Sequence, residues 1–328
     1  LRRAQGKSAG VYGARAAFIG GFNGTSNVYA GACFGIPVFG TMAHSWIMSF
    51  PTELDAFRAY ARQYDDNLIL LADTYNTLKQ GVPDAITVFK ELRDAGKLPA
   101  RYGIRLDSGD LAYLSKEAGK MFAAAGFDDA IISASNDLDE NLISGLKLQG
   151  SLINSWGVGT NLITSKDSPS IGGVFKLVGQ YEGDTFVPKI KLSDNAEKIS
   201  NPGRKNVFRL YDKDTGKMKA DIIALEGETI STDTAFHLVA DSMPWRYRTV
   251  PAGSFTIRTM LEPIFRNGKL VYKKPSLSEI CDYAEREIET LWPEYLRLIN
   301  PEEMRVQRSA KLSELRQDVL RKESTNFL

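Results

Sequence analysis

Polar residues that could do chemistry stand at the ends of several apolar runs in the sequence. They fall in four short segments, 40–45, 105–110, 135–137 and 156–161. If the apolar runs are strands of one parallel sheet, the four segments lie together, because α/β folds bind ligands at the carboxyl ends of their strands. The sequence therefore predicts one polar site to which all four segments contribute.

His44, one of two histidines in the chain, lies in the first of these segments. A lone histidine is more often structural or solvated than catalytic. An imidazole at a strand end can nevertheless accept a phosphoryl group when a neighbouring side chain orients the ring. Ser45 or a carboxylate elsewhere could do so, and His44 is therefore a candidate phosphoryl acceptor.

The second segment combines a guanidinium group, two carboxylates and a hydroxyl group in Arg105, Asp107, Ser108 and Asp110. The donor fork of an arginine suits a planar carboxylate or a phosphate, and Asp107 suits ribose hydroxyl groups. The alternative is that Asp107 or Ser108 only caps the following helix while Asp110 complements its dipole. Spacing alone leaves both interpretations open.

Glycines in two segments offer backbone N–H groups that no bulky side chain covers. Gly157 and Gly159 form a Gly-x-Gly turn of the kind that holds phosphate, although such glycines serve equally well in a tight turn. The segment 20–27 is similarly small and polar. Its alternative is a helix start capped by Thr25 or Ser26.

Alternating strands and helices would position these segments. Apolar runs recur at a spacing of roughly 30 residues, which is typical of βα units, and helical patterns follow them. The runs begin near Ile36, Leu68, Tyr102, Ala130 and Leu152. This order predicts an open doubly wound sheet or a closed barrel, and both place ligands at the strand ends.

Two helices carry specific start and stop signals. Thr52 with Asp55 predicts a capped helix start, and a second helix is predicted from about 110 to 125, with Gly126 at its end. The apolar face predicted for the first helix consists of Leu54, Phe57, Ala61 and Tyr64.

The second half of the chain has a different pattern. Short β-like runs are separated by Gly, Pro, Asn and Asp, and two amphipathic stretches, 276–291 and 301–321, predict closing helices. The β-like runs are 174–178, 187–192, 207–211 and 221–225. The pattern predicts β-rich additions followed by C-terminal helices.

The composition bounds the class of protein. The 41 Lys and Arg residues nearly balance the 40 Asp and Glu residues, so no overall field would hold nucleic acid or an anionic membrane. No stretch reaches the roughly 18 apolar residues of a membrane span. Two cysteines, Cys33 and Cys281, indicate a reducing compartment, and we expect a cytoplasmic protein.

Six motifs, read in order, resemble the nicotinate phosphoribosyltransferase family. They are 1–6, 20–28, 35–46, 105–111, 134–140 and 156–162. Each motif is weak alone, but the resemblance covers almost the whole chain. It implies an α/β fold, the irregular (β/α) barrel of type II phosphoribosyltransferases with β-rich additions and C-terminal helices. The barrel would occupy about 1–260 and the helical segment 261–328, and we expect most of an N-terminal domain to precede Leu1.

The resemblance also implies a reaction. Nicotinate and 5-phosphoribosyl 1-diphosphate would give nicotinate mononucleotide and diphosphate, with ATP as co-substrate and Mg²⁺ as cofactor. ATP hydrolysis would be coupled through a phosphohistidine. This is the first step of NAD salvage from nicotinate, and the family usually forms homodimers with shared active sites.

By position, the family's phosphohistidine matches His44. The family residues near the pyridine ring and ribose match Arg105 and Asp107. Ser26 stands where nicotinamide-specific relatives carry an aspartate, which favours a carboxylate substrate, and Asn76 departs from a second aspartate that we expect in many relatives. The remaining predicted substrate contacts are Arg2, Thr41, Ser108, Asn136, Asp137, Gly157, Gly159 and Thr160.

Two other functions compete with this prediction. A phosphoribosyltransferase for nicotinamide would call for an acid at Ser26, and one for quinolinate would call for more cations. A non-catalytic phosphate-binding barrel is the alternative from another class. The joint presence of His44, Arg105 and Asp107 counts against it.

Overall fold

The computed structural model describes residues 2–194, 198–240 and 243–325. The chain divides into two compact units, Leu1–Ile171 and Gly172–Leu328. The domain boundary expected near residue 260 stays a prediction.

The first unit alternates helices with four strands. Its helices are α1 (Lys7–Ile19), α2 (Val28–Phe34), α3 (His44–Met48), α4 (Glu53–Ala61), α5 (Val82–Asp94), α6 (Leu111–Ala125), α7 (Glu140–Leu148) and α8 (Thr160–Ile163), with a π-helical turn (Thr77–Gly81) before α5. Its strands are β1 (Asn67–Leu71), β2 (Arg101–Leu106), β3 (Ile131–Ala134) and β4 (Ser155–Trp156). They pair in parallel in the order β1-β2-β3-β4, so their carboxyl ends share one edge. The predicted α/β class is confirmed.

Apolar residues on both faces of the sheet explain its burial. Leu70 and Leu71, neighbours on β1 whose side chains point to opposite faces, are both fully buried, as is usual for parallel strands covered by helices on both sides. Gly103 brings β2 and β3 close together, because a Cβ atom there would lie 1.9 Å from the carbonyl oxygen of Ile131. The central pairing of the sheet therefore requires glycine at this position.

The predicted start of α4 is confirmed, and its buried face agrees with the prediction in part. The Thr52 side chain accepts a hydrogen bond from the Asp55 N–H at 3.1 Å. Tyr64 is exposed, whereas Tyr60 is buried and its ring packs edge-on against Trp46 of α3. Of the predicted face, Phe57 is buried, Leu54 and Ala61 are partly buried, and Tyr64 lies beyond the end of the helix. Its buried residues are Glu53, Ala56, Phe57 and Tyr60.

Of two other predictions for the first unit, one is confirmed and one is wrong. The helix predicted from 110 to 125 is α6, which ends at Gly126 in the left-handed conformation. The run near Ile36 forms only a single parallel bridge between Thr25 and Val38. Pro37 explains why, since proline has no N–H group to donate to a strand ladder.

The second unit is rich in β structure. Its strands are β5 (Gly179–Glu182), β6 (Thr185–Pro188), β7 (Lys205–Asp212), β8 (Met218–Leu225), β9 (Phe236–Ala240), β10 (Met243–Val250), β11 (Phe255–Thr259), β12 (Phe265–Arg266), β13 (Lys269–Leu270) and β14 (Val306–Arg308). Three hairpins, β5-β6, β9-β10 and β12-β13, accompany a four-stranded sheet of order β11-β7-β8-β14. Its helices are α9 (Leu277–Glu289), a 3₁₀ turn (Pro293–Leu296) and α10 (Ala310–Thr325).

The predictions for this unit are confirmed in part. Runs 207–211 and 221–225 lie in β7 and β8, and 276–291 contains α9, which Ser276 caps. Run 174–178 is not a strand, since its apolar side chains are exposed and no neighbouring strand pairs with it in the described chain. Of run 187–192 only the first two residues are in β6, and 301–321 is helical only from Ala310, because Val306–Arg308 pairs with β8.

No helix in the described part of the chain combines the length and the apolar composition that a membrane crossing requires.

A largely buried ion network joins α9 to the sheet of the second unit. Arg209 donates to both oxygens of Asp221 at 2.7 and 2.8 Å, and its third contact is Glu287 at 3.3 Å. Arg258 binds Glu287 with two donors at 2.6 Å each. The hydrogen bond to Asp221 raises the pKa of Arg209 above its usual range. Removal of one carboxylate would leave a nearly buried guanidinium group without its main partner.

We predict that Asp221→Asn lowers the free energy of unfolding by about 2–4 kcal/mol, because breaking one side of a buried ion pair leaves the other charge uncompensated. Urea denaturation measures this change. The matched control is Glu226→Gln, which breaks the exposed pair with Arg204 and is expected to cost less than about 1 kcal/mol. Equal effects of the two variants would contradict a stabilising role for the network.

Candidate active site

The loops that follow β1 to β4 begin at one edge of the sheet. Backbone hydrogen bonds continue the ladders past the last strand residues, from Ala72 N–H to Arg105 C=O at 3.1 Å and from Ser135 N–H to Leu106 C=O at 2.9 Å. Gly157 N–H likewise donates to the carbonyl group of β3's last residue at 2.7 Å. The predicted convergence of the segments after β2, β3 and β4 follows from this register.

His44 opens α3 and faces the ends of β1 and β2. Its Nδ1 lies 3.0 Å from Thr74 Oγ1, and its Nε2 lies 3.7 Å from Asp107 Oδ2. The second distance is longer than a hydrogen bond. The imidazole and the Asp107 carboxylate are 40% and 36% exposed, so a ligand can reach both. Thr74 and Asp107, rather than Ser45, are the side chains that adjoin the ring.

Asp107 is held from two sides. Ser135 Oγ donates to its Oδ1, and its backbone N–H donates to Asp73 Oδ2 at 2.7 Å. Ser108 Oγ donates to the same Asp73 oxygen at 2.6 Å. The Asp73 carboxylate therefore fixes the turn that carries Asp107 and Ser108.

Capping of α6 does not account for Asp107 or Ser108. The N-cap of this helix is Asp110, whose Oδ1 accepts from the Tyr113 N–H at 2.9 Å. Asp110 therefore caps α6, and the interpretation that Asp107 or Ser108 is the cap is wrong. In the described chain, the side-chain hydrogen bonds of Asp107 and Ser108 are to residues at the ends of other strands, Ser135 and Asp73.

The side chain of Arg105, near the end of β2, is half-buried and has a single hydrogen-bond partner in the described residues. Its Nη1 donates to Thr41 Oγ1 at 3.2 Å, and its Nε is buried without a partner. Most of the donor fork is therefore uncommitted. A planar acid could take up these donors if it reached the end of the strand.

The turn after β3 has an unusual backbone. Asn136 and Asp137 both have positive φ, 89° and 47°, in the left-handed region where Asn and Asp are the commonest non-glycine residues. Asn161 stabilises this turn by donating from Nδ2 to the Asp137 carbonyl oxygen at 2.7 Å.

The loop after β4 has an accessible backbone. An added Cβ at Gly159 would meet no atom within 4 Å, and one at Gly157 would make only ordinary contacts, the nearest at 3.4 Å to Ser135. Thr160 then begins the short helix α8. The space beside Gly159 is open to a ligand.

Arg2 and Ser26 lie apart from the hydrogen bonds around His44. Arg2 lines a cavity of about 350 Å³ together with Asn27, Tyr29 and residues of α1. Ser26 is exposed, and Asn27 rather than Ser26 caps α2. In the described residues, no hydrogen bond or ion pair links Arg2 or Ser26 to the His44 surroundings.

Sequence reasoning missed two residues that adjoin the predicted ones. Asp73 and Thr74 follow β1, and their position at a strand end was the available signal, whereas Ser135 lies in the predicted segment 135–137. Asn76, the departure from the family, caps the π-helical turn by accepting from Lys79 N–H at 2.9 Å. No group of three or more His, Cys, Asp or Glu residues in the described segments could hold a metal ion.

Two family models match the chain. Residues 2–176 match the nicotinate phosphoribosyltransferase (NAPRTase) family, and residues 204–316 match the nicotinate phosphoribosyltransferase C-terminal domain. The chain belongs to the nicotinate phosphoribosyltransferase family. The first model spans the loops after all four strands of the parallel sheet.

Curated relatives agree with this family. The chain is 45% identical over 302 residues to nicotinate phosphoribosyltransferase of Bacillus subtilis, covering 92% of this chain and 60% of the relative. It is 34% identical over 352 residues to the Dictyostelium discoideum protein of the same name, covering 92% and 59%. The chain thus spans about 60% of the length of these relatives.

A solved structure has the same fold. The crystal structure of human nicotinic acid phosphoribosyltransferase matches with a TM-score of 0.79 and 28% identity, covering 97% of this chain and 69% of the human chain. The fold class expected from the resemblance is confirmed. Nicotinate-nucleotide pyrophosphorylase from Pyrococcus furiosus, with a TM-score of 0.60 and 20% identity over 87% of this chain and 63% of its own, shares the fold alone.

We predict that Asp73→Asn increases the hydrogen-exchange rate of the Asp107 backbone N–H by about 10- to 100-fold, because that amide loses an acceptor with a full negative charge. Exchange measured by NMR reports this site directly. Asp110→Asn is the matched control, since it removes a charge three residues away but keeps a good N-cap. An unchanged rate in Asp73→Asn would show that Asp73 does not hold the turn.

Proposed function

We propose that this chain carries the catalytic site of a nicotinate phosphoribosyltransferase, which forms nicotinate mononucleotide and diphosphate from nicotinate and 5-phosphoribosyl 1-diphosphate. One observation carries the proposal. In a member of this family, His44 lies beside Asp107 at the carboxyl edge of the parallel sheet, and Arg105, near the end of the same strand, donates to Thr41, three residues before His44. This reaction would be the first step of NAD salvage from nicotinate. We expect the protein to be cytoplasmic.

Arg105 is the proposed contact for nicotinate. Its uncommitted guanidinium donors match the planar carboxylate of this substrate, and Thr41 fixes one donor in place. Ser26 and Arg2 would complete the pyridine side of the site. Because Ser26 has no negative charge, it would not repel a carboxylate.

The ribose and its phosphates would lie along the loops after β2, β3 and β4. Asp107 and Ser108 would bind ribose hydroxyl groups, while Asn136, Asp137 and the Gly157-to-Thr160 turn would face the phosphates. Backbone N–H groups beside Gly159 have the open space that a phosphate needs. The Asp107 carboxylate would also stabilise the cationic sugar that forms as diphosphate leaves.

Mg²⁺ fits such a site as a companion of the substrate. It usually binds through one or two carboxylates together with phosphate oxygens, and Asp107 offers one exposed carboxylate for this purpose. Bound there, the ion would neutralise the leaving diphosphate.

His44 is the proposed acceptor of phosphate from ATP. Thr74 engages Nδ1, so Nε2 is the ring nitrogen without a hydrogen bond. Its lone pair would form a bond to the γ-phosphorus as the bond to ADP breaks, and water would later hydrolyse the phosphohistidine. The phosphorylated state would bind 5-phosphoribosyl 1-diphosphate more tightly and drive the transfer forward. We propose a homodimer with shared active sites as the working form.

The experiment that tests the function is product formation by the full chain. Nicotinate, 5-phosphoribosyl 1-diphosphate and Mg²⁺ are supplied with and without ATP, and nicotinate mononucleotide is measured by chromatography. Parallel reactions contain nicotinamide or quinolinate instead. The proposal requires product from nicotinate and stimulation by ATP. Turnover of only nicotinamide or quinolinate, or of none of the three, would overturn it.

We predict that His44→Ala abolishes the stimulation by ATP but keeps slow, ATP-independent formation of nicotinate mononucleotide. The residue is partly exposed at a sheet edge, so the melting temperature should stay within about 2 °C of the parent. The rates with and without ATP are the measurement. If ATP stimulates the variant as strongly as the parent, His44 is not the coupling residue.

We predict that Arg105→Lys lowers kcat/KM for nicotinate by about 10- to 100-fold, because an ammonium group cannot make a bidentate contact to a planar carboxylate. Steady-state kinetics at saturating 5-phosphoribosyl 1-diphosphate measure the change. Lys120→Arg, on the exposed side of α6, is a suitable control and should have parental kinetics. Near-normal kcat/KM in Arg105→Lys would exclude Arg105 from nicotinate binding.

A further inference from the structure

Glu53 is a buried acid without any visible partner. It lies in the first turn of α4 and has no solvent exposure. Both of its carboxylate oxygens are buried and lack a hydrogen-bond partner among the described residues. An ion so placed would be strongly destabilised. Burial, together with the nearby charges of Asp84 and Asp73, raises the pKa of Glu53 to about 7.

One oxygen of the Asp73 carboxylate also lacks a hydrogen-bond partner. Its Oδ2 accepts from the Asp107 N–H and the Ser108 hydroxyl group, but its Oδ1 is buried without a donor. Asp73 follows β1, and α4 packs against both β1 and the π-helical turn. A Cβ at Gly81 would lie 1.9 Å from the Ala72 carbonyl oxygen, so that turn lies directly against the end of β1. The Asp73 charge acts on Glu53, so a buried acceptor and a buried acid share this part of the interior.

We propose that Glu53 is a protonated positioning residue whose carboxyl group donates a hydrogen bond to the Asp73 carboxylate and thereby fixes the Asp107 turn beside His44. The proton satisfies two buried groups at once, because a neutral carboxyl group is a donor and Asp73 Oδ1 is an acceptor. Asp73, Asp107 and His44 then form one chain of contacts that begins in α4. The kinetic consequence of this inference rests on the proposed function, whereas the hydrogen bond does not.

A bound cation is the other way to satisfy such oxygens, but no group of three potential ligands exists here within the described ranges. Asp84 of α5 and Asp73 are the charges that act on Glu53. Glu91 of α5 is already paired with Arg58. The other titratable groups on the elements that pack against α4 are Lys90, Arg93 and Asp94 of α5, Lys79 of the π-helical turn and His44 of α3.

The proposal has a definite pH dependence. Below about pH 7 Glu53 carries its proton and donates to Asp73. As the pH rises through this pKa, the donor is lost and two negative charges oppose each other. Because the folded-state pKa is raised above the ordinary value of 4.5, stability declines as the pH rises from 4.5 through 7, and the order of the Asp107 turn declines with it.

Three variants of the full chain test the proposal. Glu53→Gln keeps the size and a donor but cannot ionise. Glu53→Met keeps the length but has no donor. Asp84→Asn is the matched control, since it removes the like charge beside Glu53 and leaves the donor in place.

Infrared spectroscopy gives a readout that is independent of activity. The parent-minus-Glu53→Gln difference spectrum should contain the band of a protonated carboxyl group, which titrates near pH 7. Asp84→Asn should lower the pKa of that band, because a nearby negative charge is gone. In Glu53→Met, the Asp107 N–H should exchange about 10-fold faster, as expected for loss of one hydrogen bond in its support.

Kinetics give the second readout. Glu53→Gln should form nicotinate mononucleotide at close to the parental rate at pH 6.5 and lose the decline that the parent shows above about pH 7. Glu53→Met should lose about 10-fold in kcat with little change in melting temperature, since an apolar side chain that suits the site offsets the cost of the Asp73 oxygen that loses its donor. A variant that only lost packing would instead melt earlier and keep the parental pH profile.

The proposal is overturned if the difference spectrum contains no protonated carboxyl band, or if the Asp107 N–H exchanges equally fast in Glu53→Met and the parent. Absence of product from the parent would overturn the proposed function alone. The infrared and exchange results would still decide whether Glu53 positions Asp73.

Discussion

The Asp73 carboxylate is the contact on which the geometry of the site depends. One of its oxygens accepts both the backbone N–H of Asp107 and the hydroxyl group of Ser108, so the chain after β2 is tied to the chain after β1. Asp107 in turn contacts Ser135 after β3 and approaches His44 at the start of α3. His44 also makes a hydrogen bond to Thr74 after β1, so four separate segments share one hydrogen-bonded centre, and the hydrogen bonds to charged acceptors are the strong ones among them.

Local geometry has to supply the attraction for anions in this protein. The chain has a net charge of only +1, so the phosphates and the carboxylate of the proposed substrates would gain little from a general field. The site offers instead the donor fork of Arg105, the open backbone at Gly159 and the positive-φ turn at Asn136 and Asp137. The parallel register of β1 to β4 brings these features to one edge.

The polar residues at this edge could be predicted from the sequence, because buried parallel strands are continuous apolar runs and polar residues directly after such runs are easily recognised. The sequence did not predict the partners Asp73 and Thr74, since side-chain pairing across strands depends on a register that composition does not encode. The burial of Glu53 was also missed, because it depends on the packing of α4 against α5, β1 and the π-helical turn, which is tertiary. In the second unit, β14 was assigned to a helix because its pairing with β8 is distant in sequence.

Mass spectrometry of the ATP-treated protein tests the central claim most directly, because the chain has only two histidines, His44 and His237. Peptides are prepared at alkaline pH to preserve a labile phosphoramidate. The account predicts one acid-labile phosphate on the peptide that contains His44, and none on that peptide after His44→Ala substitution. An unmodified His44 peptide after incubation with ATP, or phosphate on His237 instead, would contradict the assignment of His44 as the phosphoryl acceptor.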